Sequence, residues 1–144
     1  MKLSTRSRYG LRALLDLAKH VDEGPLQIKS IADREDISSK YLEQLMAILK
    51  SAGLVRSVRG PKGGYMLAKK PEEIRLSDVF VTLEGPMTPV ECVEHTDYCS
   101  RCTDCITRQV WIEIHQAIMT VLESTTLQDL VDRAKSKKKL DFQI

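Results

Sequence analysis

A change of period near residue 53 restricts this chain more than any other feature. Before it, apolar residues recur at spacings of three and four. Leu11, Leu14, Leu15, Ala18 and Val21 form one such set, Ile28, Ile31 and Ala32 a shorter one, and Tyr41, Leu42, Leu45, Ile48 and Leu49 a third. This is the period of amphipathic helices. After it, Leu54-Val55-Arg56-Ser57-Val58 and Tyr65-Met66-Leu67-Ala68 read as two strands. Between them lies Arg59-Gly60-Pro61-Lys62-Gly63-Gly64. Glycine supplies positive φ there and proline fixes its own, so the segment is a hairpin loop.

Local signals set the helix limits. The first helix spans about residues 4–21, capped by Ser4 or Thr5 and stopped by Asp22-Glu23-Gly24-Pro25. A short second helix runs into a turn at Asp33-Arg34-Glu35-Asp36. Ser38 is the N-cap of a third that ends near residue 51, with Gly53 as its left-handed stop. Two short helices joined by a tight turn fit a helix-turn-helix, and a following hairpin gives the outline of a winged helix.

Further along, residues 76–83 form a short helix. Residues 84–104 hold Gly85, Pro86, Pro89 and three cysteines without a clear period, which predicts a functional or disordered loop. Ile106, Val110, Trp111, Ile114, Ile118, Val121 and Leu122 then make a strong helical stripe. Such a stripe closes the monomer's core or packs against a second copy. Thr125 or Thr126 caps a final helix carrying Leu127, Leu130 and Val131. The predicted class is mainly α with a small β-hairpin wing, a winged helix-turn-helix plus a long dimerisation helix. Its parts are a DNA-binding unit (1–83), a cysteine-rich loop (84–105), a dimerisation and C-terminal helix region (106–134) and a mobile basic tail (135–144).

With 144 residues the chain has the size of one domain, and 42% hydrophobic against 5% aromatic residues calls for an aliphatic core. No apolar run approaches the ~20 residues of a membrane span. The opening Met1-Lys2-Leu3-Ser4-Thr5-Arg6 is not followed by an apolar stretch, so a secretory signal is not expected. These readings place the protein in the cytoplasm, with no membrane partner.

The net charge of +2 is unevenly spread. Residues 1–75 carry 15 Lys and Arg against 9 Asp and Glu, and residues 76–144 carry 7 against 11. The first half is therefore the better candidate for a polyanion partner. In a helix-turn-helix the second helix enters the major groove by its first turns. Those turns offer Ser38, Ser39, Lys40, Glu43 and Gln44. Gln bonds adenine bidentately, Glu accepts from cytosine, and Lys reaches guanine or phosphate. In the hairpin, Arg59, Gly60 and Lys62 make a basic finger that can approach the DNA backbone or the minor groove. The partner these features imply is double-stranded DNA.

All four cysteines, Cys92, Cys99, Cys102 and Cys105, fall in one 14-residue window. In a reducing compartment such crowding points to metal or thiol chemistry rather than a disulfide framework. Four thiolates can close a tetrahedral zinc site, and three with another ligand can hold an iron–sulfur cluster. Spacing alone does not decide between them. Among the histidines, His95 lies inside the window, as a ligand or an ordinary loop residue, while His20 and His115 read as structural.

Three segments carry a resemblance to the Rrf-type winged-helix regulators, the group that includes IscR, NsrR and CymR. They are Met1-Lys2-Leu3-Ser4 through Arg8-Tyr9 with Ala13-Leu14-Leu15-Asp16, then Ile37-Ser38-Ser39-Lys40-Tyr41-Leu42-Glu43-Gln44-Leu45, and Gly53-Leu54-Val55 with Ser57-Val58-Arg59-Gly60-Pro61-Lys62-Gly63-Gly64-Tyr65. The last is the most specific, and the similarity extends over residues 1–134. It implies a homodimer on a palindromic operator, Glu43 and Gln44 as base readers and Arg59 as a minor-groove arginine. It also implies cluster ligation by Cys92, Cys99 and Cys105, with Cys102 as an extra cysteine or fourth ligand. The fourth ligand departs from the known branches. Arg108 stands where one branch has a histidine and Arg8 where another has an acid, and a protonated arginine has no lone pair for iron. Cys102, His95, Asp97 or an exogenous thiol are left as candidates. The cluster type stays open, with [2Fe–2S] favoured over [4Fe–4S] and zinc as the alternative cofactor.

The expected function is a transcriptional regulator whose DNA affinity or site selectivity is set by an iron–sulfur cluster, responding to iron–sulfur status or to oxidative or nitrosative stress. Two rivals accompany it. One is a winged-helix regulator with structural zinc or thiol-switch cysteines. The other is an iron–sulfur carrier or electron-transfer protein that binds no DNA. An enzyme is not expected. No nucleophile–base pair is evident, and residues 60–64 lack the spacing and ending of a phosphate-binding loop.

Overall fold

The computed structural model describes residues 2–143. Met1 of the opening match and Ile144 of the expected tail lie outside the described residues. The elements in chain order are α1 (Thr5–Lys19), α2 (Ile28–Glu35), α3 (Ser39–Ser51), β1 (Val55–Val58), β2 (Gly64–Leu67), α4 (Leu76–Leu83), α5 (Ile106–Ser124) and α6 (Leu127–Gln143). Single 3₁₀ turns fall at Val21–Glu23, Pro71–Glu73 and Glu91–Val93. This is the winged helix-turn-helix that the change of period predicts, followed by two long helices.

Serine caps open α1 and α3, whereas α2 opens without a side-chain cap. The Ser4 hydroxyl accepts from the Ser7 amide at 3.2 Å, and the Ser38 hydroxyl accepts from the Tyr41 amide at 3.2 Å. Both satisfy amides that the first turn leaves unpaired. Asp36 closes α2 in the left-handed region, and Gly53, at φ 77°, follows α3. β1 and β2 pair antiparallel with Val55 opposite Leu67 and Val58 opposite Gly64. Leu26 adds a bridge to this hairpin, its amide donating to the Tyr65 carbonyl at 2.9 Å and its carbonyl accepting from the Tyr65 amide at 2.8 Å.

One aliphatic core joins the elements. Leu14, Ile31, Leu42, Leu45, Met46, Leu49, Ile74, Val79 and Leu127 are fully buried within it. Two side chains expected on inward stripes lie elsewhere. Val21 is exposed because α1 stops at Lys19 and the chain turns at Val21–Glu23. Ile48 is 36% exposed because it borders a cleft beside the start of α1 rather than the core, while Met46 takes an inward position.

The C-terminal region departs most from expectation. Leu127 and Val131 of α6 belong to the same core as α1 and α4. The last helix thus shares one core with the elements of residues 1–83. Helix α6 continues through Gln143, where residues 135–144 are expected to be a mobile tail. The segment contains neither glycine nor proline, and its lysines, leucine and glutamine propagate a helix well. Thr126 is the cap: its hydroxyl accepts from the Asp129 amide at 3.1 Å, and Asp129 accepts from the Thr126 amide at 2.9 Å. Among the described residues no helix is long and apolar enough to cross a membrane.

Candidate nucleic-acid interface and cysteine loop

Helix α3 buries Leu42, Leu45, Met46 and Leu49 and turns its other side outward. Ser38, Ser39, Lys40, Glu43 and Gln44 are all exposed, so the polar groups named from the sequence share the free surface of one short helix. In the hairpin, Arg59, Gly60, Pro61 and Lys62 are exposed as well. Gly60 adopts φ 111°, and its carbonyl accepts from the Gly63 amide at 2.9 Å, which closes the loop tightly. A side chain at Gly60 would be strained in that backbone conformation.

The structure adds neighbours that sequence reasoning missed. Ser4, Thr5 and Arg6, at the start of α1, line a cleft with Tyr41, Gln44 and Ile48 of α3. Thr5 Oγ1 lies 3.3 Å from Tyr41 Oη. The Tyr9 and Tyr41 rings meet edge to face at 6.1 Å, an arrangement aromatic quadrupoles favour. Arg8 and Arg12 approach the Tyr9 ring at 5.9 Å and 5.4 Å. The basic start of α1 thus sits beside the helix expected to read bases. Its charge was visible in the sequence, but no local pattern places it there.

The loop between α4 and α5 is pinned from α5. Arg108 Nε donates to the Cys92 carbonyl at 3.1 Å, and His115 Nδ1 lies 3.1 Å from the Met87 carbonyl. His115 is thereby structural, as is His20, whose Nδ1 lies 2.8 Å from the Asp16 carbonyl. His95 is exposed. Cys92 and Cys102 are buried, Cys99 is exposed and Cys105 is half-buried as the residue before α5. Cys105 Sγ lies 3.2 Å from Thr107 Oγ1. That hydrogen bond, with a further one from the Arg108 amide, holds the Cys105 thiol below its ordinary range.

Thiolates are the donors an iron–sulfur cluster needs. Among the described residues, however, no three His, Cys, Asp or Glu side chains converge on a position that could hold a metal ion. Cys92, Cys99 and Cys105 are not brought together, and Cys102, expected to be the extra residue, is as buried as Cys92. A cluster would need the loop to bring these thiols together from this conformation.

Against known proteins, residues 3–133 match the model of the Rrf2 family, described as an iron-dependent transcriptional regulator. The chain is 49% identical over 131 residues to the Rrf2 protein of Nitratidesulfovibrio vulgaris, covering 91% of this chain and 87% of that one. Among solved structures it resembles CymR (YrzC), the global cysteine regulator of B. subtilis, with TM-score 0.80 and 44% identity over 92% of this chain and 98% of that one. It also resembles T. potens IscR, with TM-score 0.77 and 42% identity over 93% and 88% of the two chains. With a family match over nearly its whole length, and with relatives of both kinds above two-fifths identity, this chain belongs to the Rrf2 family of transcriptional regulators.

Proposed function

We propose that this regulator works as a homodimer on a palindromic operator and that the cysteine loop sets its DNA affinity or site selectivity. The observation that carries the DNA reading is the shared exposure of Ser39, Lys40, Glu43 and Gln44 on a capped, core-anchored α3, with Arg59 and Lys62 exposed on the adjoining wing. Glu43 and Gln44 read base edges in the major groove. Arg59 enters the minor groove, and Lys62 contacts phosphate beside it. Two copies meet through α5, which buries only Leu122 along its length and leaves Ile106, Val110, Ile114 and Val121 exposed on one stripe.

In this reading the signal is an iron–sulfur cluster held by the cysteine loop, with [2Fe–2S] favoured. Four soft donors in 14 residues and the iron-dependent description of the family support it. A second reading is favoured by the geometry. Among the described residues no three potential ligands converge, and the Cys105 thiol, hydrogen-bonded by Thr107, is shifted toward the reactive thiolate, so the cysteines act as thiol switches. Purification without oxygen, followed by iron and acid-labile sulfide analysis and operator titrations, separates the two. Brown protein with stoichiometric iron and sulfide, whose operator affinity changes when the cluster is removed, supports the cluster. Colourless protein whose operator affinity changes on thiol oxidation supports the switch. Operator binding indifferent to both treatments would refute any sensory role for the loop.

A further inference from the structure

A cleft of about 670 Å³ lies between the end of α1, α2 and the second half of α6. Its volume is in the range of small-molecule sites, which runs from about 300 to 1,000 Å³. Asp16 is 3% exposed there and held by a two-pronged pair with Arg34, Nη2 to Oδ2 at 2.7 Å and Nε to Oδ1 at 3.0 Å. Hydrogen bonding to Asp16 raises the Arg34 pKa. The second acid on that side, Glu35, is engaged by Arg12 at 3.5 Å. The acids on the α1 and α2 side are therefore already neutralised.

The α6 side is different. Lys135, Lys137 and Lys138 line the cleft and face Lys19 across it. Among the described residues none of these four ammonium groups has a carboxylate within 4.0 Å. Asp141 is the one further acid in the lining. Four cations gathered around a cleft repel one another, and a multivalent anion relieves that repulsion. Val131 and Ala134 add a small apolar wall for a carbon frame.

We propose that this cleft binds a small organic anion carrying two or more carboxylate or phosphate groups. The site lies outside both the DNA surface and the cysteine loop, and it does not depend on either reading of that loop. Its ligand spans the α6 lysines and Lys19 of α1, beside α2, the first helix of the helix-turn-helix. An anion that binds one α2 position better than another shifts the equilibrium between them, and with it the presentation of α3.

The test uses the full chain and two probes, citrate and inorganic pyrophosphate, in calorimetric titrations at constant ionic strength, so that general screening does not change. The comparison protein carries Lys135→Gln and Lys138→Gln, both in exposed helical positions that glutamine tolerates. Lys19→Gln, on α1, is a second variant should the first fail to fold. Expected is saturable binding of at least one probe to the natural protein, weakened about tenfold or more in the variant. The variant's operator affinity without probe is expected to be unchanged. The probe that binds tells carboxylate from phosphate. No saturable binding of either probe at millimolar concentration, or equal binding by the variant, overturns the proposal. A variant that instead binds operator more weakly, with a shallower salt dependence, also overturns it, because the lysines would then be DNA contacts.

Discussion

Glu84 takes three donors at the start of α1. Its carboxylate accepts from the Ser4 hydroxyl at 2.6 Å, from the Ser4 amide at 3.1 Å and from the Ser7 hydroxyl. These bonds favour the ionised form and hold its pKa below the ordinary 4.5. A depressed folded pKa means that the stabilisation is complete above the unfolded value and is lost as pH falls through the folded one. Urea midpoints measured from neutral pH down to about pH 3 should therefore show Glu84→Gln less stable than the natural protein at neutrality, the gap closing in acid. On the DNA surface, Lys62→Ala is expected to lower the slope of log affinity against log salt by about one, for all sequences alike. Arg59→Ala should weaken operator binding about tenfold without shifting the melting temperature, since its side chain is exposed. An unchanged slope, or an operator affinity equal to that of the natural protein, would remove the corresponding contact. The donors and acceptors of α3 were legible because Ser38 and the apolar spacing fix which side faces out. The Glu84 cluster was not, because its partners lie 77 to 80 residues away and leave no local pattern.

At the scale of elements, α5 is the anomaly. Nineteen residues make a rod about 28 Å long at the usual rise per residue, yet Leu122 is its one buried residue. Ile106 and Val121 are 72% and 61% exposed, far too much for a helix packed in its own monomer. Association through this face predicts that Ile114→Glu shifts the protein from dimer to monomer in sedimentation while the circular-dichroism helix content is kept. A dimer unaffected by that substitution would place the contact elsewhere. The sequence showed the stripe but not its exposure, because period alone does not tell a core-facing side from a partner-facing one. The cysteine loop was legible only as chemistry. Four thiols in a window without period say which atoms are available, whereas their positions depend on bonds such as Arg108 to the Cys92 carbonyl that no spacing rule encodes.

For the whole molecule, the decisive fact is that the last helix returns to the first. Leu127 is fully buried in the core that α1 and α4 share. Leu127→Ala should therefore cost about 2–5 kcal/mol of global stability and melt the DNA-binding unit together with α6 in one transition. Two separate transitions would show that the halves fold independently. The corner between α5 and α6 is also sewn to the stretch entering α4. The Leu76 amide donates to the Thr125 carbonyl at 2.9 Å, and the Leu127 amide donates to the Ile74 carbonyl at 3.0 Å. Those two stitches make the molecule a closed ring of contacts rather than a string of modules. A tilt of α5 would be handed at that seam to the segment just behind the wing, so a push at the far end of the molecule would reach the hairpin through backbone rather than through side chains.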